Sequence, residues 1–376
     1  MKEIKYMNLQ KPKRVIISGG GTGGHIFPAI SIANALRKID PDTEILFVGA
    51  EGRMEMEKIP AAGYRIVGLP VAGLHRSFSL KNFTVLIKLL RSLNKAKKVI
   101  REFQPDVVVG VGGYASGPVL RQAGRMGIPT LIQEQNSYAG VTNKLLAKKA
   151  STICVAYDGM EKYFPAGKII KTGNPVRQNF DNLKKLQNEA LAFFKLNREF
   201  PVILVLGGSL GAGSINNSLS ENINKLRDSD CQWLWQTGKY YFEHVRALVS
   251  LSFSSNISIH DFINRMDYAY AAADIIVSRA GAGTISELCL VGKPAILIPS
   301  PNVAEDHQTR NAEALSTRDA AMLITDNQAS NILVDEAINL ISDKNRRKWY
   351  SNNIIKMADR NADMRIAEEV FKLTGK

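Results

Sequence analysis

Four short apolar runs in this chain end in glycine and lead towards helix-forming sequence, and this recurrence constrains the fold more than any other feature. Val15–Ser18 enters Gly19-Gly20-Gly21-Thr22-Gly23-Gly24-His25, and Val107–Val109 enters Gly110-Val111-Gly112-Gly113. Pro201–Leu206 enters Gly207-Gly208-Ser209-Leu210-Gly211, and Ile275–Val277 is followed by Gly281-Ala282-Gly283. Continuous apolar runs bounded by polar residues read as strands buried on both faces of a parallel sheet. Glycines supply the positive φ and close backbone approach that a tight turn needs. Strand, glycine turn and helix start together aim free N–H groups and a positive dipole end at an anion. A phosphate-bearing ligand is therefore expected.

The spacing excludes two familiar phosphate sites. A P-loop needs Lys and Ser/Thr directly after its last glycine, and Gly-Lys-Ser/Thr occurs nowhere in the chain. A dinucleotide fold wants an acidic residue about 20 residues after the glycines. Instead Glu287 follows Gly283 by four residues, which places it on the first turn of the helix opened by Thr284. There it can reach the ribose of a nucleotide whose phosphates sit on the helix end. The plainer alternative is that it complements the helix dipole.

At 376 residues, two domains with separate cores are expected. With 45% hydrophobic residues and no apolar run of 18, the chain reads as an ordinary soluble protein. The start, MKEIKYMNLQKPKR, lacks the apolar core of a signal peptide. Cys154, Cys231 and Cys289 lack ligand-like spacing, which argues for reduced thiols and against zinc. The net charge of +14 suits nucleic acid, an anionic membrane or a polyphosphate substrate. With aromatic residues at 7% and no basic-aromatic stacking motif, nucleic acid is not expected as a partner.

Further strands are expected at Ile45–Val48, Thr130–Ile132, Ile153–Ala156, Ile169–Lys171, Trp233–Trp235, Ile257–His260 and Ala295–Ile298. The fold class is α/β, with two Rossmann-like doubly wound domains facing across a cleft that binds the ligand. The boundaries expected are 1–177 and 178–352, with a final helix from about 353 to 376 packing back on the first domain. His25 is either a helix cap or a functional group.

The segments GGGTGGHIFPA, VGGYASGP, QEQNSYAGVTNK, GNPVR, GGSLGAGSINN and SRAGAGTISEL…GKPAILIPSP…HQTRNA together resemble the MurG family of glycosyltransferases. They occur in the family's order over about 290 residues. The resemblance implies a GT-B fold and transfer of GlcNAc from UDP-GlcNAc to lipid I, the undecaprenyl-diphosphate-linked muramoylpentapeptide, to give lipid II. It implies that Thr22, Gly23 and Gly24 face the diphosphate and sugar, and that Asn136 and Arg177 bind donor. Ser209 would bond a phosphate, and Ile263 would read uracil through its backbone. Ala282, Gly283 and Thr284 would offer their helix end to the phosphates, Glu287 would take the ribose and Gln308 the GlcNAc hydroxyls. Where the family has two adjacent glutamines, this chain has His307-Gln308.

Turning an α-linked donor into a β-linked product requires inversion. A base must deprotonate the acceptor 4-hydroxyl, and charge growing on UDP must be stabilised. His25 is the leading base, since imidazole ordinarily titrates near 6.5; its alternative role is orienting the acceptor diphosphate. No metal or cofactor is expected. Asp40-Pro41-Asp42 and Asp228-Ser229-Asp230 match the Asp-x-Asp string of metal-dependent transferases, but both read as turns. A UDP-GlcNAc 2-epimerase, or another GT-B glycolipid transferase, is the alternative reading.

Between Arg76 and Arg101 lie eight basic residues and no acidic one, interleaved with Phe78, Leu80, Phe83, Val85, Leu86, Leu89, Leu90 and Leu93. Either this is a core-packed helix with a solvated basic face, or it binds an anionic membrane surface. For a polyprenyl-linked acceptor the second reading places the enzyme peripherally on the cytoplasmic face of the bacterial inner membrane, with Phe83 and Leu86 inserted.

Overall fold

A computed structural model of the chain describes residues 11–71, 81–176, 180, 182–208, 211–303 and 306–375, without the side chains of 81–86. The chain divides into two compact units, Met1–Pro175 with Asn361–Lys376, and Val176–Arg360.

The first unit holds a parallel sheet of β1 (Arg14–Ser18), β2 (Glu44–Ala50), β3 (Arg65–Leu69), β4 (Val107–Gly110), β5 (Thr130–Glu134), β6 (Thr152–Val155) and β7 (Ile169–Lys171). Their order across the sheet is β3-β2-β1-β4-β5-β6-β7. The second unit holds β8 (Val202–Leu206), β9 (Gln232–Gln236), β10 (Ile257–His260), β11 (Ile275–Ser278), β12 (Ala295–Leu297) and β13 (Met322–Leu323). They too are parallel, in the order β10-β9-β8-β11-β12-β13. In each sheet the strand order reverses at one point, between β1 and β4 and between β8 and β11. Open α/β sheets bind ligands at such switch points, beyond the carboxyl ends of the strands. All four glycine clusters follow the strands that flank the switches, so topology and local sequence agree.

Burial explains the continuous apolar runs. Val15, Ile16, Ile17, Val107, Val108 and Val109 are all fully buried, as are Ile203, Leu204, Val205, Ile275, Ile276 and Val277. Apolar clusters cover both faces of each sheet.

Several elements differ from expectation. β3 and β13 have no counterpart in the sequence reading: β3 interrupts its apolar run with Gly68, and β13 is only 2 residues long. Leu183–Phe193, to which the sequence reading assigns no element, is a helix that packs against Met266–Ala272. The single helix expected from Asn353 is two helices, Lys344–Ile354 and Ala362–Thr374. Asn361, at φ 58°, takes the left-handed conformation that asparagine tolerates and starts the second on a new axis. Ala362–Thr374 packs against Gly23–Ile39, inside the first unit.

Candidate active site

In the first unit the helix Gly23–Ile39 begins inside the glycine loop, with Thr22 as extended N-cap and Pro28 within the helix. Thr22 makes no side-chain cap bond, and its hydroxyl lies 3.4 Å from His25 Nδ1. Nδ1 also lies 3.1 Å from the Gly20 carbonyl oxygen. A carbonyl only accepts, so in the neutral ring Nδ1 carries the proton and Nε2 keeps its lone pair. That is the tautomer a general base requires.

The two glycine loops beside the switch are packed backbone to backbone. A Cβ on Gly113 (φ +83°) would stand 2.3 Å from the Gly20 carbonyl oxygen, and one on Gly112 (φ +96°) 2.8 Å from the His25 ring. Beneath them lies Glu55, 1% exposed. Its Oε1 accepts from Ala50 N–H (2.9 Å) and its Oε2 from Gly21 N–H (3.0 Å). Nothing in the local sequence singles Glu55 out. Its partner Gly21 is 34 positions away, and no local pattern marks the pair.

At the end of β5, the buried carboxylate of Glu134 organises the next loop. Oε1 accepts from the backbone N–H and the side-chain amide of Asn136 (3.1 and 3.3 Å). Oε2 accepts from Gly140 N–H (3.0 Å) and Asn143 Nδ2 (2.8 Å). Asn136 is thus held at the strand end, where the sequence places it. Alongside, Gln135 Nε2 donates to Gln133 Oε1 (2.7 Å) and to the Val111 carbonyl (2.8 Å). Gln133 Nε2 donates to Asn174 Oδ1 (3.2 Å), and Asn174 Nδ2 to the Gln135 carbonyl (3.0 Å). The asparagine of the Gly-Asn-Pro segment therefore locks the loops together. Arg177 lies outside the described residues.

In the second unit the helix Ala282–Val291 starts after Gly281 in extended conformation and ends at Gly292 (φ 69°). The N–H groups of Ala282, Gly283 and Thr284 have no intrahelical acceptor. A Cβ on Gly283 would meet nothing within 4 Å, so that side is open to a ligand. Glu287 is the sixth residue of the helix, which corrects the first-turn placement: the helix opens two residues earlier than Thr284. No acidic residue occupies the first turn, so complementing the dipole is not its role there. Its Oε2 accepts from the Tyr270 hydroxyl at 3.0 Å.

Ile263 departs from expectation in one respect. Its backbone N–H donates to Gln236 Oε1 (2.9 Å), while Gln236 Nε2 donates to the Gly208 carbonyl (3.1 Å). A uracil edge read through the Ile263 N–H would have to displace Gln236. Gln308 Oε1 accepts from Ser300 N–H (2.9 Å), which fixes that side chain on the loop after β12. Ser209 lies outside the described residues. Arg279, unremarked in the sequence, donates to the carbonyls of Ile298 and Pro299, to Asp326 and to Ser214 Oγ, tying three segments at this sheet edge.

Asp42 N–H donates to Asp40 Oδ1 (3.2 Å), a local turn, and Asp228 pairs with Arg227. The cysteines are free and buried, and burial pushes Cys154 and Cys289 up to about 12, so neither is a nucleophile at neutral pH.

The chain matches the glycosyltransferase family 28 N-terminal domain over residues 15–155 and the family's C-terminal domain over 202–369. A relative from Parabacteroides distasonis is 58% identical over 363 residues, 96% of this chain and 99% of its own. One from Bacteroides thetaiotaomicron is 57% identical over 97% of this chain and 99% of its own. Both are named UDP-N-acetylglucosamine--N-acetylmuramyl-(pentapeptide) pyrophosphoryl-undecaprenol N-acetylglucosamine transferase. The crystal structure of Acinetobacter baumannii MurG is similar with a TM-score of 0.76 at 27% identity, covering 96% of this chain and 100% of that one. A UDP-GlcNAc 2-epimerase from Neisseria meningitidis shares the fold alone, with a TM-score of 0.65 at 16% identity over 96% of this chain and 100% of its own. Paired switch-point loops, two matched domains and near full-length identity converge: the chain belongs to glycosyltransferase family 28, within its MurG branch.

Proposed function

We propose that this chain transfers GlcNAc from UDP-GlcNAc to the 4-hydroxyl of MurNAc in lipid I, forming lipid II for peptidoglycan. The observation that carries this is identity of 57–58% over nearly the whole chain to relatives named for that transfer. The first unit takes the acceptor and the second takes UDP-GlcNAc. Thr22, Gly23 and Gly24 face the diphosphate and sugar, and Asn136 and Arg177 hold the donor. His25 Nε2 removes the proton from the attacking hydroxyl. Ser209, Ala282, Gly283 and Thr284 stabilise charge growing on the departing UDP. Ile263 borders the uracil, Glu287 the ribose and Gln308 the GlcNAc hydroxyls.

Purified protein given radiolabelled UDP-GlcNAc and a lipid I analogue should form lipid II. Consumption of UDP-GlcNAc to an epimer without acceptor would overturn the reading. Glu287→Ala should weaken UDP binding by about 2–3 kcal/mol, the loss of two hydrogen bonds to a charged group discounted for solvent. Unchanged affinity in calorimetry would remove Glu287 from the nucleotide.

Membrane docking belongs to the same proposal. The helix Lys81–Phe103 buries Ser92, Ala96, Val99 and Ile100, yet Ile87, Leu89 and Leu90 are 38%, 43% and 56% exposed. Lys88 and Arg91 stand among them, and among the described residues neither pairs with a carboxylate. Lys95 pairs with Glu51 (2.7 Å) and Lys98 lies 3.8 Å from Glu102. The core-packed account therefore fits the second half of the helix, and the docking account the stretch from 87 to 91. The side chains of Phe83 and Leu86, the expected inserters, are outside the described residues. No helix among the described residues is long and apolar enough to cross a membrane. We place the protein peripherally on the cytoplasmic face, held by anionic lipid. Lys88→Glu with Arg91→Glu should cut binding to anionic vesicles at low salt by about 2 kcal/mol, roughly thirtyfold. Equal binding of wild type and variant would return this stretch to ordinary surface.

A further inference from the structure

We infer that Tyr270 is a positioning residue for the nucleotide, its buried hydroxyl setting the Glu287 carboxylate in the orientation that meets the ribose. This rests on the reading of Glu287 as the ribose contact. Tyr270 lies on the helix Met266–Ala272, 1% exposed, and its hydroxyl donates to Glu287 Oε2 at 3.0 Å. The donor is itself fixed from two sides. Phe180 packs edge-on against the ring, with centroids 5.3 Å apart and planes at 82°. The Lys293 ammonium donates to the Tyr270 carbonyl at 2.6 Å. Ring and backbone are thus anchored before the hydroxyl reaches its acceptor.

The sequence of this helix sharpens the point. The neighbouring Ala269, Ala271, Ala272 and Ala273 are buried as well, so Tyr270 fills the space of the one large side chain in that run. Phenylalanine would fill that space equally well, which leaves the hydroxyl as the informative atom. A buried Tyr hydroxyl needs a partner, and a glutamate with three rotatable bonds needs something to select one orientation. A carboxylate offers about four acceptor sites, so donation from Tyr270 does not by itself exclude ribose hydroxyls. The competing account is that Glu287 merely satisfies Tyr270.

Tyr270→Phe keeps the ring against Phe180 and removes only the hydroxyl. Calorimetric affinities for UDP and for 2′,3′-dideoxy-UDP separate the accounts. The variant should bind UDP about tenfold more weakly, bind the dideoxy nucleotide as wild type does, and raise KM for UDP-GlcNAc with kcat nearly kept. An equal loss for both nucleotides, or no loss for either, overturns the inference. Glu287→Ala is measured in parallel. If it leaves the preference for UDP over the dideoxy nucleotide intact, the ribose reading fails and the inference with it. If it abolishes that preference while Tyr270→Phe does not, only the inference fails.

Discussion

Replacing His25 with alanine is expected to lower kcat about 10²–10⁴-fold while KM for UDP-GlcNAc stays within about threefold, the range for removal of a positioned general base. The expectation comes from the ring's geometry. The Gly20 carbonyl engages Nδ1, and the ring lies against Gly112, where even a methyl group would collide with it. Backbone therefore sets tautomer and orientation, and in the proposed mechanism Nε2 is the nitrogen that takes the proton. His25→Gln can keep a hydrogen bond to Gly20 but cannot accept the proton, so it should be nearly as slow as alanine. The pH–rate profile decides the role: the acidic limb should disappear in both variants. Were it to persist unchanged, His25 would position the acceptor without taking its proton.

Removing the Glu134 carboxylate should have the largest effect on stability. Four donors converge on it: the Asn136 and Gly140 N–H groups and the Asn136 and Asn143 amides. At 3% exposure, little water can replace it. Truncation to alanine leaves those donors unsatisfied at about 1–3 kcal/mol each, with relaxation of the loop recovering part of the sum. A net loss of about 3–5 kcal/mol is expected, comparable to breaking a buried ion pair from one side. It is read as a lower urea midpoint at unchanged slope in the first unit's own transition. Glu134→Gln should lie in between, since its amide nitrogen would face two donors. A loss below about 1 kcal/mol for alanine would show that the loop is held by something else.

What the sequence discloses is local. The strands, the glycine turns and the helix starts are written within ten or so residues of one another, because a buried parallel strand and a positive-φ turn each demand particular residues on the spot. The supports of the site are not written that way. Glu55 reaches Gly21 across 34 positions, Gln236 reaches the Ile263 N–H across 27, and Tyr270 reaches Glu287 across 17. Each is an unremarkable polar residue until the sheet order brings it beside its partner. Boundaries fail for a related reason. Nothing between Ile355 and Asn361 is glycine or proline, yet the helix ends at Ile354, a single tight turn follows over Ile355–Met357, and Asn361 in the left-handed conformation precedes the next helix. The basic stretch after Arg76 is legible as two alternatives; burial of Ser92, Ala96, Val99 and Ile100 meets the core-packed one, and membrane docking at the exposed Ile87, Leu89 and Leu90 is what we propose.

The backbone contact between Gly20 and Gly113 has a consequence for how this protein tolerates change. Two loops from distant parts of the chain interlock with no side chain between them, like the teeth of a closed zip. A single methyl group on Gly113 would drive the Gly20 carbonyl away, and that carbonyl is what orients His25. Loss of activity on such a substitution would mimic the loss of a reacting group although the new atom touches neither sugar nor phosphate. Intolerance at Gly113 therefore maps the seam between two strands' ends, with His25 held behind it.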